Sequence, residues 1–139
     1  MTQPIKLSVP SDPKYLGLIR KVLQELLDSH DVPADTARRL ILCVDEACAN
    51  VIKHSYEGPC DEPIEATFSF EEDDFKVQIR DYGKQFDTSQ IKPGGLGTHF
   101  MNEIMDEVSY CTNRAKGTLL TMIKKLKTEL TSAQDKDKG

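Results

Sequence analysis

Apolar residues recur with two periods along this chain, and the switches between them mark out its elements. Ile5, Leu7 and Val9 alternate with polar neighbours, and a period of two predicts a short first strand. Ser11-Asp12-Pro13 then opens a helix, a capping candidate followed by a proline whose fixed φ and missing N–H suit the first turn. Leu16, Ile19, Leu23, Leu26 and Leu27 give that helix its apolar side, with its end near His30. Val32-Pro33 is a break. Asp35 or a neighbour caps a second helix that runs to about His54, and Gly58-Pro59 closes that segment. Period two returns in Ile64, Ala66, Phe68 and Phe70 and again in Phe75, Val77 and Ile79, two strands joined by the acidic turn Glu71-Glu72-Asp73-Asp74. Asp81 to Gly97 holds four glycines and one proline and reads as a long loop, which at this length is usually functional or disordered. A short helix follows at about Thr98 to Met105. Val108 to Thr112 and Gly117 to Lys124 read as a final hairpin, and Thr128 to Gly139 as a polar, disordered tail.

Composition narrows the class. A chain of 139 residues makes one domain, taken as residues 1–127 with the tail at 128–139. Lys plus Arg is 18 against 23 Asp plus Glu, a net charge of -5, which argues against a binder that neutralises nucleic-acid phosphates. The longest apolar run is five residues, Leu40 to Val44, far short of the roughly 20 a membrane-spanning helix needs. Met1 to Pro10 shows no basic cap before an apolar stretch, so no signal peptide is expected. The four cysteines, Cys43, Cys48, Cys60 and Cys111, fit neither C-x-x-C nor zinc-site spacing. Cys43 and Cys48 read as small core or near-core residues, and the set points to a reducing cytoplasm.

The second helix carries the first candidate chemistry. At about 100° per residue, Ala37, Leu40, Ile41, Val44, Ala47, Cys48, Val51 and Ile52 gather on one core face. Glu46 lies opposite, and Asn50 and His54 follow it at i+4 and i+8 as one polar stripe. Leu42, Cys43 and Ala49 lie beside Glu46, so this half is apolar enough for a pocket wall. Taken singly, the glutamate reads as a solvated residue, the asparagine as incidental, and the histidine as a partner of the helix C-terminal dipole. Their shared face is what points to a site.

Loop signals add to it. Asp81-Tyr82-Gly83 directly follows a strand. It reads either as a turn or as a carboxylate that accepts a hydrogen bond from a ligand amine, with Gly83 letting the backbone come close. Gly94-Gly95-Leu96-Gly97 precedes a short helix, and free N–H groups there suit phosphate, although neither the P-loop nor the Rossmann fingerprint is present. Gly117-Thr118 begins the last strand and by itself reads as an ordinary turn and strand start.

In order, these segments resemble the histidine-kinase-like ATP-binding domain, also called the Bergerat fold. Glu46-Ala47-Cys48-Ala49-Asn50-Val51-Ile52-Lys53-His54 is similar to its N-box, and Asp81-Tyr82-Gly83-Lys84-Gln85-Phe86-Asp87 to its first glycine box. Gly94-Gly95-Leu96-Gly97 is similar to the second box and Gly117-Thr118 to the final Gly-Thr element, over about Ile5 to Leu126. Within that superfamily, Glu46-Ala47 through His54-Ser55-Tyr56, and Gly94-Gly95-Leu96-Gly97 running into Met105-Asp106-Glu107-Val108, resemble the short stand-alone anti-sigma-factor serine kinases of bacterial stress and sporulation switches. Thr98-His99 departs from the aliphatic pair more usual after the second glycine box.

The resemblance implies a fold, an activity and roles. The fold is a two-layer α/β sandwich, a mixed, mostly antiparallel sheet covered on one face by helices. The activity is ATP-dependent serine/threonine kinase action on an antagonist protein, by a homodimer that also holds a sigma factor inactive. The alternative is a module that binds ATP and a partner but transfers no phosphate. Glu46 would accept the proton of the substrate hydroxyl, and Asn50 would bind magnesium. Asp81 would hydrogen-bond the adenine amine, with Gly83 beneath the ring and Thr118 in support. Gly95, Leu96 and Gly97, with the backbone of Thr98, would wrap the phosphates; no basic residue is clearly placed for the γ-phosphate, although Lys53 and Lys84 are available. A histidine autokinase is disfavoured, because the chain is too short to add a long dimerising helical pair.

Overall fold

A computed structural model describes residues 3–83, 98–113 and 117–126. β1 (Ile5–Ser11) leads through a 3-10 turn at Pro13–Tyr15 into α1 (Leu16–Ser29), and α2 (Ala34–Asn50) continues as a π-helical segment at Val51–Ser55. β2 (Cys60–Glu71) and β3 (Asp74–Asp81) form a hairpin. α3 (Thr98–Ile104), β4 (Glu107–Asn113) and β5 (Gly117–Lys125) complete the order. The strands make one five-stranded sheet in the order β1-β2-β3-β5-β4. Every pairing among the described residues is antiparallel, so the sheet lies at the fully antiparallel end of the expectation.

Alternation explains the layers. Val9, Ile64, Ala66, Phe68, Phe70, Phe75, Val77, Ile79, Leu120 and Met122 are buried and share one face of the sheet, because their register partners carry the same parity. The helices cover that face with Leu16, Ile19, Leu23 and Leu27 from α1 and Ala37, Leu40, Val44, Ala47 and Cys48 from α2. The opposite face carries polar groups such as Gln78, whose amide donates to Thr121 Oγ1 at 3.3 Å. β1 lies at the sheet edge, so its alternation is only partly used: Val9 is buried but Ile5 is 42 % exposed.

Local chemistry sets the element ends. Asp12 caps the 3-10 turn by accepting the Lys14 N–H at 3.1 Å. His30 ends α1, its Nδ1 2.9 Å from the Leu26 carbonyl and its ring stacked on Phe70 with centroids 3.6 Å apart. Asp35 does not cap α2. Pro33 occupies that position with no side-chain cap bond, and Asp35 sits inside the first turn, where it pairs with Arg38 and meets the positive end of the helix dipole. The β2–β3 turn is tight, with Glu71 and Asp74 paired and Glu72 at a φ of 55°. The tail at 128–139 and most of the long loop lie outside the described residues.

Candidate functional site

The site forms where α2 ends over the middle of the sheet. Glu46 and Asn50 stand one turn apart on α2, and Asn50 is its last α-helical residue. Beyond it the chain takes i→i+5 bonding, shown by the Tyr56 N–H donating to the Val51 carbonyl at 3.0 Å. The wider turn ends the polar stripe, and Lys53 and His54 are exposed on the π segment. It carries Ser55 and Tyr56 to the end of β3 instead. The Ser55 hydroxyl, 2 % exposed, donates to Asp81 Oδ2 at 3.3 Å. The Tyr56 hydroxyl donates to the Pro63 carbonyl at 2.8 Å and accepts the Tyr82 N–H at 2.8 Å. Burial pushes the Tyr56 phenol up to about 12.

Asp81 is the last residue of β3 and only 2 % exposed. Its Oδ1 accepts the Gly83 N–H at 3.0 Å. Burial holds its carboxyl above the usual range, while the Gly83 N–H, the Ser55 hydroxyl and the Arg80 charge pull the other way. Thr118 faces Asp81 directly across the β3–β5 ladder. It is 3 % exposed, and its Oγ1 is buried with no hydrogen-bond partner among the described residues. Native proteins leave few such atoms unpaired, so this one marks a place where a ligand or water belongs.

Between these residues lies a small cavity, with room inside for about 20 Å³ of water-sized occupancy and about 350 Å³ of free space once the solvent at its open mouth is counted. Ala47, Asn50 and Val51 line it from the helix, Ile79 and Asp81 from β3, Thr118 and Leu120 from β5, and Tyr110 from β4. Apolar walls with a few convergent polar groups are the usual form of a small-molecule site. Asn50, Asp81 and Thr118 therefore meet in one space. Glu46 is not among the lining residues. It sits half-buried one turn back along α2, close enough to Cys43 for its charge to raise that thiol, which burial already pushes up to about 12.

Two glycines are required by close approach. A Cβ on Gly117 would lie 1.9 Å from the Asp81 carbonyl oxygen, and its φ is +74°. A Cβ on Gly83 would lie 2.5 Å from the Ser55 carbonyl oxygen, so this glycine seats the end of β3 against the π segment and does not itself line the cavity. Gly95, Leu96, Gly97 and Lys84 fall outside the described residues, and Thr98 opens α3. Cys43 is fully buried, as its core or near-core reading expects, although the wheel sets it beside Glu46.

A family model for the histidine kinase-like ATPase domain matches residues 9–124. The chain belongs to that family. The match spans nearly every element of the fold and every residue lining the cavity, Asn50, Asp81 and Thr118 among them. Serine-protein kinase RsbW of Bacillus subtilis is 30 % identical over 75 % of this chain and 75 % of its own. The same-named protein of Bacillus velezensis is 28 % identical over 90 % of this chain and 87 % of its own. Among solved structures, the RsbU and RsbW domains of a Mycobacterium tuberculosis protein align at a TM-score of 0.71 and 16 % identity over 90 % of this chain. This chain spans 33 % of that protein's solved chain. A structure of the SiaB-SiaC complex from Pseudomonas aeruginosa aligns at a TM-score of 0.65 and 12 % identity, over 86 % of this chain and 87 % of that one. At these identities the structural likeness speaks for the fold.

Sequence reasoning gave Ser55 and Tyr56 no role in the site. The alternating strands and the N-box face were legible, but on a 100° wheel Ser55 stands about 140° from Asn50, on the wrong side of the helix. A run of β-branched residues, Val51-Ile52, followed by Lys53-His54, was the available signal that the α-helix ends early.

Proposed function

We propose that this chain is an ATP-dependent serine/threonine protein kinase that acts as an anti-sigma factor and phosphorylates an antagonist protein. The observation that carries this reading is the convergence of Asn50, Asp81 and Thr118 on one cavity, with Glu46 one turn from Asn50 on the same helix. ATP fits the residues present. The Asp81 carboxylate is an acceptor for the 6-amino group of adenine, and the partnerless Thr118 Oγ1 beside it supplies a hydroxyl for the ring edge or a bridging water. Ile79 and Leu120 give the base apolar walls.

Magnesium fits only in company with the nucleotide. The described residues hold no group of three or more His, Cys, Asp and Glu side chains suited to a metal ion. A single amide oxygen from Asn50 matches a hard cation that keeps most of its waters and shares phosphate oxygens. When bound, such an ion would neutralise charge on the transferring phosphoryl group. The chain's own part is positioning. The cavity fixes the base, Asn50 orients the phosphate end, and Glu46 accepts the proton of the substrate serine hydroxyl as its oxygen bonds to phosphorus and ADP leaves. The antagonist and a sigma factor are the protein partners, the working form is a homodimer, and the compartment is the cytoplasm. No helix among the described residues is long and apolar enough to cross a membrane.

The test is transfer from labelled ATP with magnesium to candidate antagonist domains. Label should appear on a partner serine or threonine and vanish in Glu46→Ala while nucleotide affinity persists. Asp81→Ala should abolish binding. Tight binding with no transfer to any candidate would leave a nucleotide-binding regulatory module in the kinase's place. Unchanged binding in Asp81→Ala would remove the site assignment itself.

A further inference from the structure

We propose that Ser55 is a positioning residue for base recognition, holding the Asp81 carboxylate in the plane in which it accepts the 6-amino group of adenine. The inference rests on the ATP reading of the cavity and adds to it a residue that does not line the cavity.

A buried aspartate has a soft final torsion, and its carboxylate plane turns readily unless both oxygens are held. Here both are. The Gly83 N–H fixes Oδ1 at 3.0 Å and the Ser55 hydroxyl fixes Oδ2 at 3.3 Å. Each oxygen accepts two hydrogen bonds, so each keeps a lone pair after these contacts. The two anchors come from different directions in the chain, one from the turn after β3 and one from the π segment. Together they set the plane rather than a single axis.

Ser55 is itself held. Its carbonyl oxygen is in such close approach to Gly83 that no Cβ fits between them. The next residue, Tyr56, clamps the Tyr82 N–H and the Pro63 carbonyl with one hydroxyl. Asp81, Tyr82 and Gly83 are thus each in contact with Ser55 or Tyr56. Because Ser55 is 2 % exposed, water does not compete for its hydroxyl. Removing that hydroxyl frees the carboxylate to turn while leaving the cavity walls in place, and the energetic loss then falls on the one ligand group the carboxylate reads.

The experiment compares ATP with purine riboside 5'-triphosphate, which lacks the 6-amino group, by titration calorimetry on the full chain. Wild type should bind ATP the more tightly. Ser55→Ala should weaken ATP binding roughly 3- to 10-fold, the order of one hydrogen bond, and leave the analogue's affinity within about twofold. Ser55→Thr, which keeps the hydroxyl, should restore most of the preference. Equal weakening of both ligands in Ser55→Ala would mean that Ser55 only packs, and no weakening of either would mean that it does not orient Asp81; each overturns the proposal while the ATP reading stands. Equal affinity of wild type for the two triphosphates would overturn the adenine reading of Asp81 and the proposal with it.

Discussion

Thr118→Val should move folding and nucleotide binding in opposite directions. Thr118 Oγ1 is buried at 3 % residue exposure with no hydrogen-bond partner among the described residues, and a hydroxyl left so costs roughly 1–3 kcal/mol. Valine keeps the β-branched shape that β5 favours and replaces the hydroxyl with a methyl group in a cavity that Ile79 and Leu120 also line. Where cavity water already satisfies part of the hydroxyl the gain shrinks, so about 1 kcal/mol is the working figure. For a 139-residue chain that is a rise in Tm of roughly 3–5 °C without nucleotide. With ATP present, the variant loses one hydrogen bond to the base, about 0.5–1.5 kcal/mol or roughly 2- to 10-fold in Kd. The assay is a thermal melt with and without ATP plus a calorimetric titration of both proteins. A drop in Tm of more than about 2 °C in the nucleotide-free variant, or an unchanged Kd, would refute the argument that the hydroxyl waits for a ligand.

Three further outcomes follow from single contacts. Gly117→Ala sets a Cβ 1.9 Å from the Asp81 carbonyl oxygen at a φ of +74°, so the strain of the left-handed region, about 1–2 kcal/mol, is joined by a backbone clash; chemical denaturation should show a loss above about 3 kcal/mol. Asp81 has its carboxyl raised by burial, so the folded state holds the proton more tightly than the unfolded chain and stability drops as pH rises through the window above 3.8; the Tm of Asp81→Asn relative to wild type should therefore be more favourable at pH 7 than at pH 3, and an equal difference at both would contradict it. Cys43 and Cys48 are buried with thiols pushed up to about 12, whereas Cys60 is half-buried and Cys111 exposed, so a thiol reagent at pH 8 should titrate Cys60 and Cys111 in the native protein and reach the other two only on unfolding.

How much of this was legible depended on whether one period governed a segment. Strand alternation fixed β2, β3 and the inner face of the sheet, because a slip of one residue would send Phe68 and Phe75 to solvent. The α2 core face was equally clear, though Ile41 proves only half-buried. Cys43 is fully buried although the wheel sets it beside Glu46, because a wheel ranks residues by angle alone and does not count what packs over each flank. Asp35 lost its cap because the chain enters α2 from an extended Pro33, with ψ of 144°. Of the site, Asn50, Asp81 and Thr118 were visible as ordered motifs. What joins them was not, since hydrogen bonds between the π segment and the end of β3 have no period.

That joint explains why the helix changes pitch where it does. Had α2 continued as an ordinary helix, the Ser55 side chain would point about 140° away from Asn50 and could not reach Asp81. Among the described residues the carboxylate of Asp81, a residue 2 % exposed, would keep the Gly83 N–H alone as an anchor, at a cost of roughly 1.5–3 kcal/mol for a lost hydrogen bond to a charged group. The same pitch change brings Tyr56 under Tyr82 and lets Gly83 pass the Ser55 carbonyl. The poorer geometry of i→i+5 bonding is offset by these contacts. One local irregularity therefore ties the helix that bears Glu46 and Asn50 to the strand end that bears Asp81.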